Sequence, residues 1–202
     1  YNTLDCINGL VEMNRPDDIK KTVTALASIM RMSIKGAEIL TVRENLSYTE
    51  QYMYIEKIRY GDSIHFDLDW DPGLKDAAIP PLLLQTFVEN AIKHGMISPD
   101  DPFAIDLEIF IREHTLHIRI GNDGTRISLE QMKKLLDFDA SRQELLDFDQ
   151  KSYGVQNIQR RIQILCGISY GLSYEIRNNR TWCDLTLPVL EHDPSEKTED
   201  LQ

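Results

Sequence analysis

The sequence predicts an α+β protein in which an α-helical hairpin precedes a two-layer α/β sandwich, with helices on one face of a mixed, mostly antiparallel sheet. Three observations support this fold class. Apolar residues recur at helical spacing through the first 60 residues. From residue 62 onward they alternate, as in half-buried strands. Two further helical patterns, at residues 80–95 and 155–165, interrupt the strands.

The N-terminal helical pattern covers residues 4–34, and Pro16 divides it into two pieces. Gly36 is the predicted end of the second piece. That piece carries a heptad-like apolar stripe, formed by Ile19, Val23, Leu26 and Met30. Two interpretations of the stripe remain open: it packs on the rest of the chain, or it pairs with a second copy to form a homodimer.

A third helix is predicted from Thr41 to about Tyr60. Thr41 and Glu44 form a capping box, in which each side chain satisfies a free backbone N–H of the other residue, and Gly61 closes the helix. Alternating apolar residues then predict strands at residues 64–70, 103–111, 116–120, 172–176 and 183–187.

These patterns divide the chain into a helical segment at residues 1–60, a sandwich domain at 61–190 and a charged, disordered tail at 191–202. A polar stretch before residue 153 contains LLDFD twice, which suggests two helical turns, and is long enough to act as a lid. The chain opens at Tyr1 inside a helical pattern, so we expect it to be part of a longer protein.

The composition narrows the possible partners. A net charge of -11 over 202 residues disfavours nucleic acid and anionic lipid, because binding to both depends on Lys and Arg neutralising phosphates. Three widely spaced cysteines without a CxxC motif fit a reducing compartment and argue against a disulfide scaffold or a zinc site. No apolar run reaches the roughly 18 residues that a membrane helix needs.

The helix PPLLLQTFVENAIKHG, at residues 80–95, carries the most specific polar pattern. Asn90, Lys93 and His94 fall together at i, i+3 and i+4, away from the apolar face. An amide oxygen suits Mg²⁺, an ammonium suits phosphate, and an imidazole can donate a hydrogen bond to phosphate. Together they suit a metal-chelated polyphosphate. Taken alone, the pattern is equally typical of a surface helix that ends at Gly95.

Two later motifs favour the polyphosphate interpretation. IGNDG, at residues 120–124, ends a buried strand with a polar turn, where Asn122 can hydrogen-bond a ring edge and Gly124 gives backbone freedom. SYGVQNIQRRI, at residues 152–162, sets Gly154 just before a helix, and free N–H groups at a helix N-terminus attract phosphate.

This set of motifs resembles the ATP-binding domain of the GHKL superfamily and, more narrowly, the LytS/YesM-type sensor histidine kinases of bacterial two-component systems. IPPLLLQTFVENAIKHG is similar to that group's N box, and YIEKIRYGDSIHFDLDWDPGL to its connecting helix and first strand. YGVQNIQRRIQILCGISYGLSYEI resembles its second glycine box. YNTLDCINGL resembles the segment after its phospho-acceptor histidine. The resemblance covers nearly all of residues 1–188 and implies a Bergerat-type fold.

The resemblance also implies the site. Asn90 would hold Mg²⁺, with Glu89 a weaker candidate. Lys93 and His94 would touch the ATP phosphates, while Asn122 would stand where the family's adenine-reading Asp stands. The implied ATP-binding residues are Asn90, Lys93, His94, Asn122, Gly124, Gly154, Val155, Asn157, Ile158 and Thr181. The acceptor histidine would lie three residues before Tyr1, so this chain would be unable to phosphorylate itself.

The sequence departs from the family at four glycine-box positions. Asn122 lacks the charge that strengthens a bond to the adenine amino group. Arg126, Ser152 and Arg180 each replace a glycine, which reduces backbone freedom. These departures suggest a weaker nucleotide site.

The sequence therefore favours the catalytic part of a sensor histidine kinase. It would bind ATP and Mg²⁺, transfer the γ-phosphoryl group to a histidine and then to a response regulator, and form the cytoplasmic domain of a membrane protein anchored by upstream segments. The alternative is a non-enzymatic dimeric scaffold with a degenerate nucleotide site. A GHKL ATPase of the chaperone or topoisomerase type is weaker, because Thr86 stands where those proteins need a catalytic Glu.

Overall fold

The computed structural model describes residues 2–35, 39–126, 128, 130 and 153–190. Three helices open the chain: α1 (Asn2–Glu12), α2 (Pro16–Lys35) and α3 (Val42–Tyr60). Pro16 begins α2, as the break in the pattern predicts, because a proline at the first helical position has no N–H to leave unpaired. The predictions about Gly36, the polar stretch with its LLDFD repeats and the tail at 191–202 lie outside the described residues.

The capping box of α3 is present in full. The Thr41 hydroxyl accepts a hydrogen bond from the backbone N–H of Glu44, and the Glu44 carboxylate accepts one from the backbone N–H of Thr41. Gly61, with φ of 59°, closes the helix. The start and end of α3 are therefore confirmed.

The apolar stripe predicted on α2 is exposed in part. Val23 and Met30 are 47% and 54% exposed, whereas Thr22 and Ala25 provide the buried contacts of this helix. Ile19 and Leu26, the other two residues of the stripe, are half-buried, so both interpretations of the stripe remain open.

The described part of the chain also holds seven strands and two more α-helices, of which β1 lies between α2 and α3 and the rest follow α3: β1 (Leu40–Thr41), β2 (Ile64–Trp70), β3 (Ala78–Ile79), α4 (Leu83–Gly95), β4 (Phe103–Arg112), β5 (Thr115–Asn122), α5 (Tyr153–Cys166), β6 (Gly171–Arg177) and β7 (Arg180–Pro188). Five strands form a sheet in the order β2-β4-β5-β7-β6. The β2–β4 pair is parallel and the other pairs are antiparallel. The predicted mixed sheet is confirmed.

The core lies on one face of this sheet. Alternate residues of β4, β5 and β7 point to it, among them Leu107, Ile118 and Leu185, and all three are fully buried. Helices α4 and α5 cover this face with Leu84, Val88 and Ile162 among other residues, in the same hydrophobic cluster. Leu165, which the sequence groups with the apolar positions of α5, is instead exposed.

A second, two-stranded pairing was not predicted. β1 pairs antiparallel with β3, so that Leu40 lies opposite Ile79. The backbone N–H of Val42 also donates to the carbonyl of Ala77 at 2.9 Å. This pairing fixes the start of α3 against the segment that leads into α4.

No helix in the described ranges is both long enough and apolar enough to cross a membrane.

Candidate nucleotide site

Helix α4 separates an apolar face from a polar one. Leu84 and Val88 are completely buried beneath the helix. Asn90 is half-buried, and Lys93 and His94 are exposed. The predicted juxtaposition of an amide, an ammonium and an imidazole at the C-terminal end of one helix is therefore present.

The Asn90 side chain has a defined orientation. Its Nδ2 donates to the carbonyl of Thr86, one turn earlier, at 2.8 Å. Within the described residues no donor reaches Oδ1, so this oxygen is available to a cation. No group of three or more His, Cys, Asp or Glu side chains in the described part of the chain could hold a metal ion.

The Lys93 ammonium acts on the neighbouring His94 ring. The pKa of His94 is lowered, first because partial burial disfavours the imidazolium ion and second because the Lys93 ammonium is nearby. A neutral imidazole still has one N–H to donate, and a bound phosphate would raise the pKa of His94 again. This end of α4 therefore offers one fixed positive charge and one ring that can acquire charge when an anion binds.

The glycine turn after β5 packs directly against the end of α4. The backbone N–H of Thr125 donates to the carbonyl of Gly95 at 2.7 Å. A side chain on Gly124 would overlap that carbonyl, and one on Gly95 would lie 2.7 Å from Oδ1 of Asn122. The two motifs, far apart in sequence, are thus in contact.

Asn122 and Thr181 are directly opposite each other on β5 and β7. Asn122 Oδ1 accepts from the Gly124 N–H at 3.3 Å, which holds the amide over the turn. Thr181 is 7% exposed, and its Oγ1 is buried without a hydrogen-bond partner within the described residues. Since buried hydroxyls are normally hydrogen-bonded, this unpaired group fits a ligand or a ligand-bound water at this edge.

The predicted phosphate helix is present but begins one residue before Gly154, which therefore lies inside the helix and not just before it. Helix α5 starts at Tyr153, so Gly154, Val155 and Asn157 lie in its first two turns, while their side chains lie outside the described residues. Ile158 is buried beside Ile162 in the core. In this structure, Ile158 therefore packs α5 against the sheet.

Two of the altered glycine positions are described. Arg126 is exposed. Arg180 forms an ion pair with Asp106, and this pair holds its side chain against β4. Ser152 lies outside the described residues.

Glu89 is exposed on α4 and faces α3. Its charge acts on Tyr52 and Glu56 of α3 and raises the pKa of each, although burial is the larger cause in both cases. Glu56 is itself buried, with Arg59 at 3.7 Å. The carboxylate of Glu89 therefore lies near Tyr52 and Glu56 of α3, which the sequence does not indicate.

The sequence did not indicate the role of Asn45 or the hydrogen bond that the Thr86 side chain makes. Asn45 of α3 is buried, and its Oδ1 accepts from the N–H of Leu83 at the start of α4. Thr86 donates through Oγ1 to the carbonyl of Leu82 at 2.8 Å. One signal was available: Asn45 stands between Val42 and Leu46 on the apolar stripe of α3, where a polar residue needs a partner.

In sequence and in fold, the chain resembles histidine kinases. Residues 1–64 match the family model described as Histidine kinase. The chain is 31% identical to an uncharacterized sensor-like histidine kinase of Staphylococcus epidermidis over 83% of this chain and 31% of that protein. It is 29% identical to the sensor histidine kinase YesM of Bacillus subtilis, over 93% of this chain and 31% of YesM.

A third relative is the sensor histidine kinase/phosphatase LytS of Staphylococcus aureus, 26% identical over 92% of this chain and 32% of LytS. The chain is therefore homologous to sensor histidine kinases of the YesM and LytS type, and the predicted resemblance is confirmed. It spans about a third of the length of these curated relatives.

Solved structures confirm the fold. The nucleotide-free catalytic domain of the histidine kinase ThkA superposes with a TM-score of 0.55 at 18% identity, covering 75% of this chain and 94% of that one. ThkA in complex with the response regulator protein TrrA superposes with a TM-score of 0.51 at 17% identity, covering 97% of this chain and 59% of that one.

Proposed function

We propose that this chain is the cytoplasmic catalytic part of a two-component sensor histidine kinase. It binds Mg-ATP, and the γ-phosphoryl group passes to a histidine and then to an aspartate of a response regulator. One observation carries the proposal: the Gly124 turn, with Asn122 at its start, packs on the end of the helix that bears Asn90, Lys93 and His94. The amide of Asn122, which would hydrogen-bond the adenine ring, and the end of α4, which would bind phosphate, therefore border one site.

Each group has a separate task in this proposal. The Oδ1 of Asn90 ligates Mg²⁺, which supplies charge neutralisation at the phosphates. Lys93 and His94 bind phosphate oxygens, and the backbone N–H groups at the start of α5 do the same. Asn122 and the unpaired hydroxyl of Thr181 read the adenine edge. The protein's contribution is mainly positioning and electrostatic stabilisation.

The acceptor histidine is proposed to lie outside these 202 residues. His117 is engaged elsewhere, because its Nδ1 lies 3.2 Å from Asp184 and its ring stacks on Phe110. His65 is exposed on β2, His114 is exposed in the turn after β4, and His94 belongs to the proposed phosphate site. His192 lies outside the described residues. Transfer to a histidine would therefore need the longer protein.

The proposed partners follow from the same function. A response regulator is supported by the ThkA–TrrA complex. A homodimer is supported by the exposed stripe on α2. Attachment to a membrane would come from segments beyond this chain.

Calorimetric titration of the chain with ATP, with and without Mg²⁺, tests the nucleotide site. We expect Asn90→Ala to weaken magnesium-dependent binding by about tenfold or more, because a bond between an amide oxygen and a charged centre is lost. Gln51→Ala is the matched control, since it also removes a helical amide that donates one turn back, in this case to the Ser47 hydroxyl. Equal losses in both variants would contradict the assignment.

The second candidate is a dimeric signalling scaffold without a working nucleotide site. Asn122 favours it, because its amide lacks the charge of a carboxylate and already accepts a hydrogen bond from Gly124. Absence of ATP binding in the unsubstituted chain, at millimolar nucleotide and Mg²⁺, would select this candidate.

A further inference from the structure

Helix α4 begins without a cap of its own. Its N-cap residue is Leu82, which has no side-chain hydrogen bond and adopts the left-handed conformation, with φ of 57° and ψ of 16°. Leucine rarely adopts this conformation, and it is among the least suitable N-cap residues. Such a backbone persists only where the surrounding structure holds it.

Asn45 of α3 provides the missing cap from another helix. Its Oδ1 accepts from the N–H of Leu83 at 3.1 Å, and its Nδ2 donates to the carbonyl of Thr41 at 3.3 Å. Asn45 is 1% exposed. Both ends of one buried amide therefore join the start of α3 to the start of α4.

Two further hydrogen bonds continue along α4 toward the proposed metal ligand. Thr86 Oγ1 donates to the carbonyl of Leu82 at 2.8 Å, and Asn90 Nδ2 donates to the carbonyl of Thr86 at 2.8 Å. Thr86 and Asn90 are four residues apart and share one side of the helix. A continuous line of hydrogen bonds thus runs from Thr41 to Asn90.

We propose that Asn45 and Thr86 are positioning residues for Asn90, and that through them α3 sets the geometry of the magnesium site. The inference rests on the proposed function. Asn45 holds the first turn of α4. The Thr86 hydroxyl keeps the Leu82 carbonyl in place, and the Asn90 side chain takes its orientation from the carbonyl of Thr86. Since α3 also packs on α2 through the bond from Tyr54 to Asp18, a shift of the helical segment reaches the nucleotide through this line.

Such coupling must be reciprocal, because a change in α3 that alters Mg-ATP affinity requires Mg-ATP to act equally on α3. A line of contacts alone does not establish coupling, so substitutions must reveal it. The chain offers suitable ones. Asn45→Ala removes the cap, and Thr86→Val removes one hydroxyl at nearly constant volume. Thr24→Val is the matched control, because Thr24 Oγ1 makes the same bond to the Lys20 carbonyl on α2.

The first readout is the Kd for ATP with and without Mg²⁺. We expect Asn45→Ala and Thr86→Val each to weaken magnesium-dependent binding by about three- to tenfold, as the loss of one hydrogen bond implies. ATP binding without Mg²⁺ should be unchanged in both variants. In the Thr24→Val variant, magnesium-dependent binding should also be unchanged. A residue with a merely structural role would lower both affinities together, and that result would overturn the proposal.

Leu82→Gly provides a rescue test in the Asn45→Ala background. Glycine adopts the left-handed conformation without strain and is a better N-cap than leucine. The double variant should therefore recover part of the magnesium-dependent affinity. Failure to recover, with the fold intact by circular dichroism, would contradict the role of Asn45 as the cap of α4.

The second readout needs no nucleotide. Hydrogen exchange at the Leu83 amide, followed by NMR, should accelerate about tenfold in Asn45→Ala and remain unchanged in Thr24→Val. If the unsubstituted chain binds no Mg-ATP, the proposed function fails, and this exchange experiment still decides whether Asn45 holds α4. Unchanged exchange at Leu83 would overturn the inference whatever the nucleotide result.

Discussion

At the scale of single residues, the tightest contact of the site is made by two glycines. Gly95 ends α4, and Gly124 lies against its carbonyl group. A Cβ on Gly124 would meet the Gly95 backbone, which cannot adjust as a flexible side chain can. A Cβ on Gly95 would lie 2.7 Å from Asn122 Oδ1 and 2.9 Å from the Phe103 ring. The close packing of the motifs at residues 80–95 and 120–124 therefore depends on two glycines, which have no side-chain functional group.

Gly124→Ala should destabilise the chain by about 3 kcal/mol, because the added Cβ would overlap a carbonyl that cannot rotate away. Urea unfolding monitored by circular dichroism measures this. Gly9→Ala in α1 is the control: nothing lies within 4 Å of a Cβ added there, so this variant should gain roughly 0.5–1 kcal/mol from its better helix propensity. A similar effect of both substitutions would refute the steric argument.

The sequence can predict which candidate residues share a helix face because that relation is local. Asn90, Lys93 and His94 share one face by helical periodicity alone. The opposition of Asn122 and Thr181 depends on the pairing of β5 with β7, which are not consecutive strands, and the local sequence pattern does not specify that pairing. The bond from Asn45 to Leu83 joins residues 38 apart in the chain and requires the packed structure.

At the scale of elements, α2 and α3 are joined by a polar contact. The Tyr54 hydroxyl donates to Asp18 Oδ1 at 2.9 Å, and Arg15 approaches the other carboxylate oxygen at 2.6 Å. The pKa of Asp18 is lowered, chiefly because of the hydrogen bond from Tyr54. A carboxyl group with a lowered pKa in the folded state stabilises the protein above its unfolded pKa, near about 3.9. That contribution is lost as the pH falls through the folded pKa.

Tyr54→Phe should therefore lower the urea midpoint at pH 7, and the difference from the unsubstituted chain should shrink as the pH falls below about 4. Unfolding curves at pH 7, 5 and 3.5 measure this. Tyr48→Phe is the control on the same helix, since the Tyr48 hydroxyl makes no hydrogen bond within the described residues. A pH-independent difference for Tyr54→Phe would show that packing, not the charge on Asp18, carries the effect.

Element prediction succeeds here where a segment is long enough to show a period. The alternation in β4 and β5 covers eight or more residues in each strand. Between β6 and β7, the Asn178–Asn179 turn supplies two residues that tolerate positive φ. β1 and β3 contain two residues each, too few to show alternation. Their pairing arises because the chain entering α3 meets the chain entering α4.

At the scale of the whole molecule, the composition and the arrangement of layers agree. Sheet and helices share one hydrophobic cluster, which the 42% hydrophobic content can fill. The opposite face carries ion pairs, with Arg119 near Glu108, Glu175 and Asp184. A charged sheet face exposed to solvent and an apolar face covered by helices explain how an acidic chain can still form a substantial core.

The exposed stripe on α2 leads to a prediction about assembly. Val23 and Met30 are one heptad apart and lie on the outward side of the helix. If a second copy covers them, replacing both by glutamate buries two unpaired charges, which is strongly unfavourable. The double variant Val23→Glu, Met30→Glu should then weaken self-association by at least about a hundredfold and leave the 23.4 kDa monomer.

Light scattering after size exclusion measures the mass. Ile168→Glu is the matched control, because Ile168 is 89% exposed after α5, away from the stripe, and its substitution should leave the mass unchanged. A dimer that survives the double substitution would locate the interface elsewhere. A monomeric unsubstituted chain would contradict self-association of this chain through the stripe.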